Sequence, residues 1–420
     1  MNYQNSLDYA KQLDQEDSLS YLRKEFHIPK DKQGNEWLYF MGNSLGLQPK
    51  NTQKYIQQEL DDWANFGVEG HFEAQNPWLS YHEFLTDNMA KIVGAKPIEV
   101  VVMNTLTTNL HLLMASFYQP TKEKYKIVIE SDAFPSDRYA VQSQLEFHGY
   151  DANDGLVEWK PRTGEKLLRI EDLEKILDEQ GDDIALLLIG GVNYYTGQYL
   201  DIRKIGELGH AKNCMVGIDL AHGAGNIQPN LHDSNVDFAA WCTYKYLNSG
   251  PGSLAGLFVH ERHANRKDLP RFAGWWNHNK ETRFNMRQPF DVMSGAEGWQ
   301  LSNPPILSMA AIRASLDMFA KVGMKALREK SEKLTGFFEY LINQIDSDQI
   351  QIITPSNPKE RGCQLSIQVK NADKSLHKKL TENNIITDWR EPDVIRCAPV
   401  PMYTNFEDVH RMVEVLKSLL

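Results

Sequence analysis

The stretch IALLLIGGVNYYTGQYLDIRKIGELGHAKNCMVGIDLAH, residues 184–222, decides the fold class. Its first nine residues, IALLLIGGV, form a continuous apolar run of the kind expected for a strand that is buried on both faces. IRKIGELGHAKN follows with helical spacing, and CMVGIDLAH is a second predicted strand. A strand, a helix and a strand in this order predict two parallel strands joined by a crossover helix.

The alternation of strands and helices continues on both sides of this stretch. Upstream, IEVVVMN (98–104) and KIVIESDAF (126–134) are predicted strands, each followed by a helical segment. Downstream, DFAAWCTYKY (237–246) and SLAGLFVH (253–260) are predicted to form a further pair of strands. We therefore predict an α/β fold with a largely parallel sheet.

The pattern changes after about residue 307. Two long helical segments precede the short strands CQLSIQV (363–369) and VIRCAPVPMY (394–403) and a terminal helix, which together predict a smaller α+β domain. We expect three parts: an N-terminal helical segment (1–60) that packs with the small domain, a large domain (61–307) and a small C-terminal domain (308–420).

The composition excludes several classes of protein. The formal net charge of −11 argues against a nucleic-acid or anionic-membrane surface, either of which needs a basic stripe. No apolar run approaches the roughly 20 residues of a membrane helix, and the polar, acidic N-terminus lacks the apolar core of a signal peptide. We expect a soluble, cytoplasmic protein.

The cysteines indicate neither disulfides nor a metal site. None of the four forms a CxxC pair or has histidine neighbours at zinc-ligand spacing. We expect reduced, mostly buried thiols and no bound metal. The four are Cys214, Cys242, Cys363 and Cys397.

Several residues follow the predicted strands, where parallel-sheet proteins bind their ligands. Thr105 and Thr107 stand at the start of a helix, where they either cap the helix or help to bind a phosphate group. Phe134 and Asp137 belong to FPSD, after the next strand. Phe134 is a candidate to stack on a planar ring, and Asp137 is either a loop cap or a ligand contact.

Asp219 and Lys245 end two further predicted strands. Asp219 either caps the following turn or, if it is buried, pairs with a cation such as a protonated ring nitrogen. Lysine is usually exposed, but the apolar AAWCTY before Lys245 favours a desolvated amine, which is a nucleophile for carbonyl groups. A phosphate cradle, a stacking ring, an aspartate and a lysine, in that order, are what pyridoxal 5′-phosphate needs in fold type I enzymes.

A larger set of short motifs resembles the kynureninase family. The resemblance extends from about residue 40 to residue 410 and keeps the family's motif order. It implies a fold type I large domain with a mostly parallel seven-stranded sheet, a homodimer with shared active sites and bound pyridoxal phosphate. The motifs are GNSLGLQPK (42–50), VMNTLTTNLHLL (102–113), FPSD (134–137), GVNYYTGQ (191–198), GIDLAHGAGN (217–226), WCTYKYLNSGPG (241–252), LSNPPI (301–306) and IRCAPVPMYTNF (395–406).

The activity implied by the resemblance is that of a hydrolase acting on C–C bonds in ketonic substances. The family cleaves L-kynurenine, or 3-hydroxy-L-kynurenine, to an anthranilate and L-alanine, in tryptophan catabolism and NAD biosynthesis. The preference between the two substrates stays open, as does the choice between degradation and biosynthesis.

The resemblance also implies roles for individual residues. Lys245 resembles the lysine that binds the cofactor covalently, and Asp219 the residue that pairs with the pyridinium nitrogen. Tyr244 resembles a phosphate-contacting tyrosine that is also proposed as an acid–base group, and Arg396 the arginine that binds the substrate α-carboxylate. The other implied cofactor contacts are Leu106, Thr107, Phe134, Asp137, His222 and, from the other subunit, Trp275 and Asn303.

Four residues are implied substrate contacts or depart from the family pattern. His71 and Ser302, the latter next to Asn303, are similar to the animal-type pattern that lines the aryl pocket, although His71 is equally well explained as a structural helix-end residue. Asn43 in GNSLGLQPK is a further expected substrate contact. Gly190 stands where some members of the family carry a hydroxyl residue, so a side-chain contact from that position is in doubt.

Two other classes of function remain open at this point. One is another fold type I enzyme, an aminotransferase or a cysteine desulfurase, although a desulfurase needs a reactive loop cysteine and Cys363 and Cys397 lie in strand-like apolar segments. The other is a non-catalytic binding protein, against which the presence of Lys245 and Asp219 argues.

Overall fold

The N-terminal part of the chain consists mainly of helices. The structure is a computed structural model that describes residues 3–286 and 289–420; the predicted segments 1–60 and 61–307 each include two residues outside these ranges. The elements are α1 (Leu7–Glu16), β1 (Leu38–Tyr39), α2 (Thr52–Phe66), α3 (Gly70–Glu73) and α4 (Glu83–Val93).

A seven-stranded sheet forms the larger part of the molecule. Its strands alternate with helices along the chain, as the sequence pattern predicts. The elements are β2 (Val100–Met103), α5 (Leu106–Phe117), β3 (Lys126–Glu130), α6 (Pro135–Phe147), α7 (Ala152–Gly155), β4 (Leu156–Trp159), α8 (Ile170–Gln180), β5 (Ile184–Gly190), α9 (Ile202–Ala211), β6 (Met215–Asp219), α10 (Leu231–Ser234), β7 (Phe238–Cys242) and β8 (Ala255–Val259).

The strand order is β2-β8-β7-β6-β5-β3-β4. Strand β8 runs antiparallel to both neighbours, and the pairs from β7 to β4 are all parallel. The sheet is therefore mostly parallel, as predicted. The interior strand β5 is apolar and buried over Ile184–Ile189 because helices cover both faces of the sheet.

The C-terminal part contains a second, smaller sheet. Its four antiparallel strands have the order β12-β13-β10-β9, with Asp388 opposite Arg396. The elements are α11 (Ile306–Val322), α12 (Met324–Ile342), β9 (Ile350–Ile352), β10 (Leu365–Val369), α13 (Lys374–Glu382), β11 (Ile385–Ile386), β12 (Asp388–Arg390), β13 (Val394–Cys397) and α14 (Phe406–Leu419).

Contacts connect the N-terminal segment to this smaller part. Helix α1 packs on α14, and β1 pairs in parallel with β11. Ala10 of α1 is fully buried in the same apolar cluster as Phe337 and Phe406. Helix α2 instead packs on α11, which also contacts α4. Within the described ranges, no helix combines the length and the apolar character that a membrane crossing requires.

Candidate active site

A cavity of about 330 Å³ opens at the carboxyl ends of the parallel strands. This is the edge at which parallel sheets bind ligands, because the strand ends and the following helix N-termini converge there. The small domain closes the cavity with residues of β12 and β13. Predicted site residues that line it are Asn43, Thr105, Leu106, Thr107, Phe134, Asp137, Asp219, His222, Tyr244, Lys245 and Arg396.

Lys245 lies in the loop that follows β7, three residues beyond the strand end rather than within the strand as predicted. Its Nζ is 3.1 Å from Nε2 of His222 and 5.9 Å from the centre of the Phe134 ring. Burial, together with the positive charges of Lys245 and Arg396, lowers the pKa of His222 well below its ordinary value. The imidazole is therefore neutral and can accept a hydrogen bond from the lysine amine.

Asp219 and Asp137 form a buried carboxyl pair. Burial raises the pKa of Asp219, although a hydrogen bond from the Ala221 N–H and the charge of Lys245 oppose the rise. Burial and the Asp219 carboxylate raise the pKa of Asp137 well above its ordinary value. Asp137 therefore keeps its proton, and its O–H donates a hydrogen bond to the Asp219 carboxylate. Asp219 also caps the turn after β6 by accepting the Ala221 N–H, whereas its expected pairing with a protonated ring nitrogen stays a prediction.

Glu130 is a third buried carboxyl group in the cavity. It ends β3, and the N–H of Gly190 lies 3.1 Å from each of its oxygens. Burial raises the pKa of Glu130 to about 7, with smaller contributions from the charges of Asp219 and Asp132. The space beside Gly190 is thus filled by a carboxyl group from the neighbouring strand.

The N-termini of α5 and α6 face the opposite end of the cavity. Thr105 is the N-cap of α5, but its side chain makes no capping hydrogen bond. The backbone N–H groups of the first turn, which includes Leu106 and Thr107, are therefore available to a ligand. The hydroxyl of Thr107 lies 2.8 Å from that of Ser136 at the start of α6. These two hydroxyl groups and the N-terminus of α5, a helix of 12 residues, are suited to binding an anion.

The Phe134 ring is held at the edge of the cavity. The side chain is 44% exposed, and its ring meets the Tyr194 ring edge-on at 5.3 Å. An exposed aromatic face next to a lysine amine is suited to stacking on a planar ring.

Arg396 approaches the cavity from β13. Asp388, its partner on β12, accepts hydrogen bonds from Nε and Nη2, and the carbonyl of Tyr194 accepts one from Nη1 at 2.6 Å. Burial lowers the pKa of Arg396, while Asp388 opposes the shift. Asp388 also accepts from Nε of Arg390, whose guanidinium lines the cavity. One carboxylate therefore orients two arginines toward the site.

Tyr244 and Asn43 complete the inner wall. Burial, followed by the nearby Cys242, raises the pKa of Tyr244 above its ordinary value, so its hydroxyl keeps its proton at neutral pH. Asn43 is buried and donates to Gln364 at 2.9 Å. Its Oδ1 has no hydrogen-bond partner among the described residues.

Four predicted contacts do not line the cavity within this chain. Trp275 is 47% exposed and donates from Nε1 to the Arg283 carbonyl, whereas Ser302 and Asn303 are exposed. His71, in the short helix α3, packs edge-on against Trp78, and its Nδ1 lies 2.9 Å from the carbonyl oxygen of Val68, which precedes that helix. The expected roles of all four stay predictions, and those of Trp275 and Asn303 depend on a second subunit.

Sequence reasoning missed several residues of the site: Glu130, Ser136, Tyr194 and Arg390, which line the cavity, and Asp388, which orients two of its arginines. Glu130 carried a usable signal, since it is the polar last residue of an apolar strand, as Asp219 is. Arg390 and Asp388 carried a weaker signal, because a two-residue spacing places both on one face of a strand only if β12 is recognised as a strand.

Solved structures of known enzymes share this fold. A cysteine desulfurase from Thermococcus onnurineus NA1 has a TM-score of 0.77 at 18% identity, with 95% of this chain and 97% of that chain covered. The cysteine desulfurase CsdA from Escherichia coli has a TM-score of 0.76 at 16% identity, with 96% and 98% covered. The protein is therefore an α/β protein of the fold type I class.

Sequence relatives define the family within that class. A kynureninase from Myxococcus xanthus is 54% identical over 416 residues, which cover 99% of this chain and 98% of that protein. A kynureninase from Flavobacterium psychrophilum is 53% identical over 421 residues, covering 100% and 99%. The kynureninase C-terminal domain family matches residues 327–416. The chain belongs to the kynureninase family.

Proposed function

We propose that the protein uses pyridoxal 5′-phosphate to hydrolyse the Cβ–Cγ bond of L-kynurenine or its 3-hydroxy derivative, releasing an anthranilate and L-alanine. The observation that carries the proposal is the arrangement of Lys245 in the cavity. Its amine is hydrogen-bonded to neutral His222 and shares the cavity with the buried carboxyl group of Asp219.

The side chains fit the cofactor at each of its functional groups. Nδ1 of His222 is buried and has no partner among the described residues, so a bound polar group would satisfy it. The Thr107 and Ser136 hydroxyls and the α5 N-terminus would hold the phosphate, Phe134 would stack on the ring, and Asp219 would hold the proton on the ring nitrogen. When bound, pyridoxal phosphate supplies an electron sink for bonds at the substrate α-carbon.

The chain's own groups then bind the substrate and move protons. Arg396 would hold the α-carboxylate through the N–H groups that Asp388 and Tyr194 leave free. The Lys245 amine would take a proton from the α-carbon, with His222 neutral beside it. Tyr244, which keeps its proton, is the candidate donor to the alanine product, and Oδ1 of Asn43 is a candidate acceptor for a substrate N–H.

The cysteines disfavour a desulfurase reaction at this site. That reaction needs an accessible thiolate, but all four cysteines are buried. Burial raises the pKa of Cys363 to about 12, and burial and the charge of Asp388 raise that of Cys397. A buried neutral thiol is a poor nucleophile.

A homodimer with shared active sites would explain the predicted residues that lie outside the cavity. Large apolar side chains are exposed on the same part of the chain as Trp275, among them Phe284 at 56% and Phe290 at 48%. Leu307 at 43% adjoins Ser302 and Asn303. A second copy that covered these side chains would bury apolar surface and bring new groups to the cavity. Sedimentation equilibrium at micromolar concentration should give twice the chain mass.

The remaining expectations stay proposals. The bounds 1–60, 61–307 and 308–420 are proposed domain limits, and a cytoplasmic location and a role in tryptophan catabolism or NAD biosynthesis are proposed from the family. The net charge of −11 supports the absence of a nucleic-acid or membrane partner.

The decisive experiment measures release of anthranilate and 3-hydroxyanthranilate by fluorescence from both kynurenines. Purified protein with added cofactor should release product from at least one substrate, and Lys245→Ala should lose turnover. Lys175→Ala, an exposed lysine paired with Glu179, is the matched control that should keep activity. Product from neither substrate would refute the proposal.

A further inference from the structure

Three consecutive strand ends bring acidic and glycine residues together under the cavity. Glu130 ends β3, Gly190 ends β5 and Asp219 ends β6, and these strands are neighbours in the sheet. Gly190 pairs in register with Asp219. The backbone of Gly190 therefore lies between the buried carboxyl groups of Glu130 and Asp219.

The Glu130 carboxyl group occupies the space that a side chain at position 190 would enter. A Cβ atom at that position would overlap Oε1 of Glu130, and the Gly190 N–H is directed at the same carboxyl group. Glu130 is 5% exposed and forms no ion pair with any described residue. A buried carboxyl group without a cationic partner is costly unless it has a use or a proton.

We propose that Glu130 is a positioning residue of the active site. Its carboxyl group occupies the space that a side chain at position 190 would fill, and its charge acts on the side of the bound cofactor that faces Asp219. The inference rests on the proposed cofactor site. When Glu130 loses its proton, the cavity gains a negative charge that stabilises the protonated form of the cofactor linked to Lys245. When Glu130 holds its proton, that stabilisation is lost.

The groups that face Glu130 support a charge that changes near neutral pH. Asp132 follows it on the same segment, Asp137 lies on α6 and Asp219 on β6, and the cations that line the same cavity are Lys245, Arg390 and Arg396. Burial raises the pKa of Glu130 to about 7, which places its proton loss within the working pH range. We assign the response to Glu130 because its carboxyl group contacts the N–H of Gly190, the residue that pairs in register with Asp219.

The test is the pH dependence of the visible absorbance of the bound cofactor, recorded between pH 5.5 and 9.5. Glu130→Gln removes the charge and keeps the size of the side chain, so the midpoint should fall by about half a pH unit to one unit relative to wild type. Glu179→Gln, at an exposed glutamate, is the control and should leave the midpoint unchanged.

A second set of variants keeps the inference testable if Glu130→Gln folds poorly. Gly190→Ala should displace the carboxyl group and lower the midpoint in the same direction. In a Glu130→Ala background, Gly190→Ala should add no further shift, because the two changes act on one contact. Independent shifts in the double variant would contradict the proposed link.

The outcomes separate this inference from the proposed function. A wild-type protein that shows no visible cofactor band overturns the cofactor site and this inference together. If the visible band shows no pH midpoint between pH 5.5 and 9.5, or the same midpoint in wild type and Glu130→Gln, this inference alone is overturned. A merely structural role for Glu130 would weaken thermal stability or cofactor affinity without moving the midpoint.

Discussion

Nζ of Lys245 lies 3.1 Å from Nε2 of His222, and burial keeps that imidazole neutral. A neutral histidine can accept a hydrogen bond from the lysine or pass a proton back to it, whereas a charged one would repel the ammonium group. His222 can therefore adjust the protonation state of Lys245, the residue that would bind the cofactor.

Replacement of His222 should impair turnover more than folding. His222→Gln keeps a hydrogen-bonding side chain but removes the imidazole, so kcat should fall by roughly 10- to 100-fold, as for the loss of a proton-transfer partner. Steady-state kinetics with L-kynurenine measure the effect, and His148→Gln, at a helix end away from the cavity, is the control. An unchanged kcat would assign His222 to cofactor packing alone.

Replacement of Asp388 should weaken substrate binding with little effect on the chemical step. Asp388→Asn removes the carboxylate that orients both Arg396 and Arg390, so KM should rise about 10-fold, within the range for a lost charged hydrogen bond, while kcat stays within about 3-fold. Asp268→Asn breaks an exposed aspartate–arginine pair and serves as the matched control. A fall in kcat at constant KM would contradict a binding role.

The sequence predicts the strand ends well because short polar motifs there interrupt apolar runs. Thr107, Asp219 and Lys245 were each found this way, and the structure brings all three to one cavity. Glu130 was missed because its position predicts only the last residue of a strand. Its proposed role depends on the absence of a side chain at Gly190, which lies on a different strand. Such a dependence between strands distant in sequence leaves no local pattern.

The closing residues from the small domain were predictable only in part. Arg396 was found by resemblance, but Asp388 and Arg390 reach it through antiparallel pairing of β12 with β13, which sequence spacing does not fix. Trp275 and Asn303 show the opposite limit. Their predicted contacts need a second chain, so one chain's structure leaves them outside the cavity.

Asp237 should make stability depend on acid pH. Burial alone would raise its pKa, but hydrogen bonds from His210 and His263 and the charge of Arg262 lower it well below the ordinary value. A carboxyl group with a lowered folded-state pKa stabilises the protein above its unfolded-state pKa, near 4, and loses this contribution as the pH falls further. Asp237→Asn should reduce the free energy of unfolding by about 3 kcal/mol at pH 7 in urea titrations.

The acid dependence provides the check on that prediction. The difference between wild type and Asp237→Asn should shrink below pH 4, because the Asp237 carboxylate of the unfolded wild-type chain then takes up a proton while that of the folded chain does not. Asp178→Asn, at an aspartate that is 77% exposed and paired with Lys212, should change stability by less than about 1 kcal/mol at either pH. An equal loss at pH 7 and pH 3 would show that Asp237 acts through packing.

Tyr244 poses the sharpest mechanistic question, since the family resemblance implies both a phosphate contact and an acid–base role for its hydroxyl, which lines the cavity. Tyr244→Phe removes the hydroxyl and keeps the ring. If the hydroxyl donates the proton, kcat should fall about 100-fold while the cofactor dissociation constant stays within a few-fold. If it only holds the phosphate, cofactor affinity should fall about 10-fold and kcat at saturating cofactor should recover.

Fluorescence titration of the cofactor beside steady-state kinetics distinguishes the two, and Tyr139→Phe, at an exposed tyrosine on α6, is the control. Because the pKa of Tyr244 is raised, its hydroxyl stays protonated through neutral pH, so we expect the kcat loss and no new alkaline limb in the variant's pH profile.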